Sequence, residues 1–262
     1  MIARPAPFCP SRNNAMKKFH ISPAVKALAA LQNPLLEFVR EFLTDNGFEL
    51  PEAGQAAREW CRSRAIAGDA DAQLAYSQLL THGLFGARDD DEAFLWIQRA
   101  AEQSHPAGMI ALSPYLENGR ENCPKDVARA LDLIKVSAEK GYAPAWALLG
   151  IWYQFGTHVK EDRHLAMEYH RKAASLGFAG SQYTLGCDLI EQMNPSDQQE
   201  GLALIEAAAR QNLYLAHETL GRLFSRGEFG ATVDQERSRH HYQKAKKLED
   251  EAGAAFGVLR PI

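Results

Sequence analysis

No run in the 262 residues approaches the roughly 20 consecutive apolar positions that a helix needs to cross a bilayer, so membrane insertion is not expected. Nor is there an excess of charge. The 29 Lys and Arg against 33 Asp and Glu leave a formal charge of −4, which argues against a general electrostatic grip on nucleic acid or anionic lipid. Cysteine is scarce: Cys9, Cys61, Cys123 and Cys187 stand far apart, with no CxxC pair and no short spacing of the kind that zinc or redox chemistry requires. Four free thiols in a reducing cytoplasm are expected, with export as the alternative.

Catalytic signatures are missing too. There is no HxxxH, HExxH or GxSxG element, and the GxxG pairs at 83–86 and 227–230 follow helical rather than strand patterns, which excludes phosphate loops of the dinucleotide type. Asp89, Asp90 and Asp91 lack the alternating ligands, central glycine and closing glutamate of a calcium loop. His158, His164 and His170 are six apart and fall on different faces, so the histidines are expected to be scattered surface groups. No catalytic residue, metal site or cofactor is therefore expected.

What is present suits a folded chain, at 46% hydrophobic and 24% charged. Residues 1–20 read as disordered, and the stretch from Phe19 to Leu31 is broken by His20, Ser22, Pro23 and Lys26, which suits a short helix rather than a signal segment.

The dominant feature is an internal period. With Gly68, Ser104, Gly141, Gly177, Asn212 and Glu249 as register zero, the intervals are 36, 37, 36, 35 and 37. Position four holds Ala72, Gly108, Ala145, Ser181 and Ala216; position eight holds Tyr76, Leu112, Leu149, Leu185 and Leu220. Position nine is small (Ser77, Ser113, Gly150, Gly186, Gly221), and position twelve is large again (Leu80, Leu116, Tyr153, Leu189, Phe224). Steps of four define one face of a helix. At position fifteen Gly83, Gly119, Gly156 and Gly227, with Gln192 the departure, fit its C-terminus, because glycine accepts the left-handed conformation found there.

A second helix follows, opening at Asp89, Asp126, Asp162, Asp197 and Asp234, whose side chains can accept the orphan N–H groups of the first turn; Glu92 and Glu200 would complete capping boxes. Four residues on come small residues (Ala93, Ala130, Ala166, Gly201, Ser238), then bulky ones three further (Trp96, Leu133, Tyr169, Leu204, His241), then alanine pairs that permit close helix contact. Pro114, inside a first helix, removes one N–H and predicts a kink at the carbonyl of Ile110.

The units are repeats at 69–104, 105–141, 142–177, 178–212 and 213–249, preceded by a degenerate one at 33–68 and flanked by helical caps at 21–32 and 250–262. The segments APAWALLGIWYQFG (143–156) and VKEDRHLAMEYHRKAASLG (159–177), with the pairs Leu149-Gly150, Leu185-Gly186 and Leu220-Gly221, resemble the Sel-1-like repeat, a relative of the tetratricopeptide repeat. That resemblance implies an all-α fold, a right-handed α-solenoid of antiparallel helix pairs, acting as a non-enzymatic adaptor or scaffold for other proteins. Extracellular members often carry a cysteine pair per repeat, which this chain lacks.

By analogy with tetratricopeptide geometry, positions three, six, ten, thirteen and fourteen of the first helices point into a groove. They give Leu74, Gln78, His82, Ile110, Glu117, Asn118, Ile151, Gln154, Phe155, Tyr183, Cys187, Glu191, Glu218, Arg222 and Arg226. Aromatic and aliphatic anchors with an arginine pair suit a peptide or helix of a partner protein, hydrophobic with an acidic end. Two alternatives stand beside this: a helical-repeat nucleic-acid binder using the basic strip from Arg237 to Lys247, and a relative of beta-lactamase-type repeat proteins, for which no nucleophile and base are arranged here. Homo-oligomerisation remains open.

Overall fold

A computed structural model describes residues 50–83, 86–192 and 194–258, with side chains described over 58–249 except 84, 85 and 193. The expected disordered segment, the 21–32 cap and most of the first helix of the degenerate repeat lie outside these residues, as does 259–262 at the far end. Among the described residues there are eleven helices and no strand: α1 (Leu50–Ile66), α2 (Ala70–His82), α3 (Asp90–Glu102), α4 (Pro106–Asn118), α5 (Val127–Glu139), α6 (Ala143–Phe155), α7 (Arg163–Ser175), α8 (Ala179–Ile190), α9 (Pro195–Arg210), α10 (Tyr214–Arg226) and α11 (Gln235–Val258). The fold is all-α, of the α-solenoid class expected. The chain divides between Leu149 and Gly150 into two compact units.

The first five register-zero residues are left-handed: Gly68, Gly141 and Gly177 at φ 98°, 84° and 86°, and Ser104 and Asn212 at 57° and 60°, while Glu249 lies inside α11. These residues end the second helices. The N–H that follows each donates five residues back, from Asp69 to Arg64 O (3.1 Å), His105 to Ala100 O (3.1 Å), Phe178 to Ala173 O (3.0 Å) and Leu213 to Ala208 O (3.2 Å). The chain thereby turns directly into the next first helix, with the last carbonyls satisfied.

The turn from first to second helix repeats just as strictly. The aspartate that caps the second helix donates its own N–H to the carbonyl at position twelve: Asp89 to Leu80 (3.1 Å) and Asp126 to Leu116 (2.8 Å) in the N-terminal unit, Asp162 to Tyr153 (2.9 Å) and Asp234 to Phe224 (2.8 Å) in the C-terminal unit. Its carboxylate accepts from the first turn, as Asp162 Oδ1 does from Leu165 N–H at 3.0 Å. One residue thus closes two helix ends.

Two expectations about these caps are corrected. Asn194, not Asp197, caps α9, accepting from Ser196 N–H at 3.0 Å with Pro195 at the first helical position; Asn before Pro is the stronger start, so the helix begins three residues earlier and Glu200 has no box to complete. Glu92 forms no box either. The Asp89 N–H is already taken by Leu80, and the Glu92 carboxylate accepts from Trp96 Nε1 at 3.2 Å.

The core follows the small-large grid. In the N-terminal unit Cys61, Ala65, Ala72, Tyr76, Leu79, Leu80, Ala93 and Trp96 form one cluster; in the C-terminal unit Ile190, Ile205, Ala208, Leu220, Leu223 and Phe224 form another. Burying each large side chain contributes on the order of 1.5–3 kcal/mol. Small residues let the backbones approach: a Cβ added to Gly201 would lie 2.7 Å from the Gly186 carbonyl oxygen, and one added to Gly186 would lie 2.7 Å from Ile205 Cγ1.

The bulky position of the second helix sits one residue later than the spacing suggested. Ile97, Ile134, His170 and Ile205 are its buried occupants at 6%, 0%, 2% and 0% exposure, with Tyr242 at 44% in the last helix. They face the small position nine of the first helix: a Cβ on Gly150 would meet His170 Nε2 at 2.8 Å, and one on Gly221 would meet the Tyr242 ring at 2.9 Å. Trp96 is also buried, while Leu133, Tyr169, Leu204 and His241 lie at the edge. Steps of three and four share one helix face, and here the step of four is the one that meets position nine.

Helix α4 continues through Pro114, and the Ile110 carbonyl that the proline leaves without a backbone donor accepts from Ser113 Oγ at 3.0 Å. One further point differs from expectation: α11 continues past 249 to Val258, so no separate helix begins at 250 among the described residues.

Candidate partner-binding face

The groove positions proposed from the register do not behave as one set. At position fourteen every side chain is exposed: His82 and Asn118 in the N-terminal unit, Phe155, Glu191 and Arg226 in the C-terminal unit. This position lies on the last turn of each first helix, beyond the core stripe. Phe155 is 38% exposed, the largest apolar side chain of the row.

Position six does something else. Tyr183 Oη and Thr219 Oγ1 lie 3.2 Å apart, joining α8 to α10, so position six is where a first helix meets its neighbour. Ile110 holds the same position and is 3% exposed, and Leu74 is half-buried. Glu218 is exposed there because α10 is the last first helix among the described residues. Ile110, Glu117 (4%) and Cys187 (3%) are therefore corrected: they are buried and closed to a partner. Gln78, Ile151, Gln154 and Arg222 are half-buried. Asn118 donates to the Pro114 carbonyl of its own helix at 2.7 Å, and Arg226 lies 3.7 Å from Glu228, so one arm of the expected arginine pair already faces a carboxylate.

Side-chain ties link successive repeats within each unit. Gln103 Nε2 donates to Gln73 Oε1 at 2.9 Å, and His105 Nε2 lies 3.1 Å from Asp71 Oδ1. In the C-terminal unit Gln211 Nε2 donates to Gln182 Oε1 at 2.9 Å, and Arg163 pairs with Asp188 at 2.7 Å. Of the basic strip on α11, Arg237 is engaged by Glu206 at 2.7 Å and lies 3.8 Å over the Phe224 ring, while Lys244 is half-buried.

The histidines are the residues that sequence reasoning misplaced. His164 is an exposed surface group, but His170 and His217 are 2% and 6% exposed. His170 Nδ1 lies 3.0 Å from Ser181 Oγ, and its Nε2 is shielded without a hydrogen-bond partner. Burial holds the ring neutral, with a pKa pushed down to about 4. His217 Nδ1 lies 2.9 Å from His241 Nδ1. Burial lowers the pKa of both rings, with nearby cations adding to it; that of His241 falls to about 4. The signal for His170 was in the register: it stands where Ile97, Ile134 and Ile205 stand in other repeats.

Burial likewise pushes the Cys61 thiol up to about 11, which leaves it protonated and unreactive. Among the described residues no group of three or more His, Cys, Asp and Glu is placed to hold a metal ion, and no helix is long and apolar enough to cross a membrane.

The helix pairs, their capping aspartates and the small-large grid match the Sel1 repeat at residues 70–105, 106–142, 144–178, 183–213 and 216–250. The chain belongs to the Sel1-repeat family. Among solved structures, a Sel1 repeat protein from Oxalobacter formigenes superimposes with a TM-score of 0.68 at 26% identity, over 81% of this chain and 86% of that one. An uncharacterized protein of Neisseria meningitidis is 30% identical over 149 residues, 57% of this chain and 30% of its own length. Chitin synthase regulatory factor 3 of Schizosaccharomyces pombe is 31% identical over 122 residues, 46% of this chain and 13% of its own length. The chain thus spans less than a third of either curated relative. Sel1-repeat proteins are in general scaffolds for protein interaction, and this one has the repeat architecture for that role.

Proposed function

We propose that this Sel1-repeat protein is a non-enzymatic scaffold that binds a peptide or helix of a partner protein at the exposed ends of the first helices of its C-terminal unit. The observation that carries this reading is the position-fourteen row. It is solvent-facing in every repeat, and in the C-terminal unit it offers Phe155 as an apolar side chain, with Glu191 and Arg226 at the same position of the next two repeats. Core packing explains the buried positions but asks nothing of this row. An exposed aromatic side chain is of the kind that anchors an interface. The family's role as protein-interaction scaffolds supports it, and a fission-yeast relative is named as a regulatory factor of chitin synthase.

Affinity purification with mass spectrometry identifies the partner, and its affinity is then measured for Phe155→Ala and for Arg226→Glu. Each change is expected to weaken binding about tenfold or more, a hot-spot-sized loss. A partner whose affinity is unchanged by both removes this face from the account. The nucleic-acid alternative is less well supported, because Arg237 is already paired and stacked within the fold. Retention on nucleic acid that falls steeply with salt would favour it.

A further inference from the structure

We propose that the contact between His217 and His241 is an acid-sensitive latch that holds α11 against α10, and that acidification releases α11 and uncovers Gly221 and Phe224. The argument starts from the 2.9 Å separation of the two Nδ1 atoms. At that distance one hydrogen must lie between them: one ring donates and the other accepts with a lone pair. The contact exists only while at least one imidazole keeps that lone pair. The first added proton charges the pair; a second leaves two N–H groups pointing at each other, and the contact cannot persist.

The surroundings oppose either charge. From α11 the groups that bear on the rings are Arg237, His240 and Lys244, all cationic or able to become so. From α10, His217 itself is nearly buried and Phe224 stacks on the His241 ring at 5.8 Å and 22°. From α9 the backbone of Ala209 favours charge on His217, a smaller effect than burial and the Lys244 cation, and Glu206, the carboxylate tied into this network, is taken up by Arg237 at 2.7 Å. His217 is the shielded member of the pair at 6% exposure, and His241 is half-buried at the edge of the contact. His240, outside the pair with its ring 5.5 Å from that of His241, adds a further titratable group that opposes charge on both rings.

The remaining contacts that hold this end of α11 fall on the same short stretch. Ser238 Oγ donates to the Gly221 carbonyl at 2.8 Å, the Tyr242 ring lies on Gly221, and Arg237 covers Phe224. Parting the histidines therefore strains all of them together, and what they cover is a small residue beside an aromatic, on the second-helix-facing side of α10.

The test is amide hydrogen exchange of the intact chain at about pH 7.5 and about pH 5, expressed as protection factors so that intrinsic exchange is divided out. In the wild type the amides of 237–249 are expected to lose about tenfold more protection than those of α9, the size of effect that one pKa unit carries. His241→Phe keeps a ring on Phe224 but takes no proton, and His217→Gln keeps a polar partner that does not titrate; in both, the extra loss at α11 should vanish. Equal losses in α9 and α11, or an unchanged extra loss in both variants, overturns the proposal. Should neither variant fold, the wild-type histidine resonances decide: His217 and His241 titrating below the exposed His164, with the loss at α11 setting in before the folded rings titrate, supports the latch. Titration alongside His164 with α11 still protected refutes it.

Discussion

Replacing His170 and Ser181 together, His170→Ile with Ser181→Ala, puts into the C-terminal unit the residues that other repeats carry at the same register positions, isoleucine at 97, 134 and 205 and alanine at 72, 145 and 216. The pair departs from the pattern together because the two side chains bond to each other, Nδ1 to Oγ at 3.0 Å. The ring is 2% exposed, and burial lowers its pKa from 6.5 to about 4. The unfolded chain therefore takes up the proton first as pH falls, and stability declines from about pH 7 until the folded ring is protonated near pH 4. A difference of about 2.5 units limits the total loss to about 3.4 kcal/mol, and the part realised between about pH 8 and pH 5 is about 2 kcal/mol. Above pH 7 the contribution is flat. Denaturant unfolding of wild type and double variant at the two pH values measures it. The double variant is expected to be as stable as the wild type, or more so, at about pH 8, since a buried polar pair gives way to apolar groups of similar size. It should also lose about 2 kcal/mol less on moving to about pH 5. A double variant that shows the full wild-type pH dependence would mean that His170 is not buried neutral and that the reasoning from its position is wrong.

Three other substitutions test the packing and the caps. Gly201→Ala, whose Cβ would lie 2.7 Å from the Gly186 carbonyl oxygen and 2.9 Å from Ile190 N, should destabilise by about 1–3 kcal/mol in chemical denaturation despite alanine's better helix propensity; a neutral or stabilising result would mean that α8 and α9 separate at little cost. Asn194→Ala should cost about 1 kcal/mol and Asp197→Ala much less, because only Asn194 caps α9. The reverse order in melting temperature would restore Asp197 as the start of that helix.

Most of the architecture was legible because the repeat samples the same solution five times. A left-handed residue, a small-large stripe and a capping aspartate recur at fixed spacing, and each has a local physical cause that needs no knowledge of the rest of the chain. The errors fall where a local signal competed with another or where a neighbour mattered. At α9 an Asn-Pro start three residues upstream displaced the aspartate. In the second helices a step of three was chosen over a step of four, and that single residue hid His170 among supposed surface histidines. Position six looked like groove because a single helix does not say what lies beside it. Only the Tyr183 to Thr219 contact reveals that the space is taken by the next first helix.

The sequence by itself determined the helix pairs, their ends and the residues that let them approach, since propensity, capping and periodicity act over a few turns of chain. Tertiary structure decided which off-stripe positions stay open to a partner and which histidines lose water. Burial is a property of what packs against a residue from elsewhere in the chain, and the pairing of His217 with His241 across 24 positions belongs to that second kind of fact.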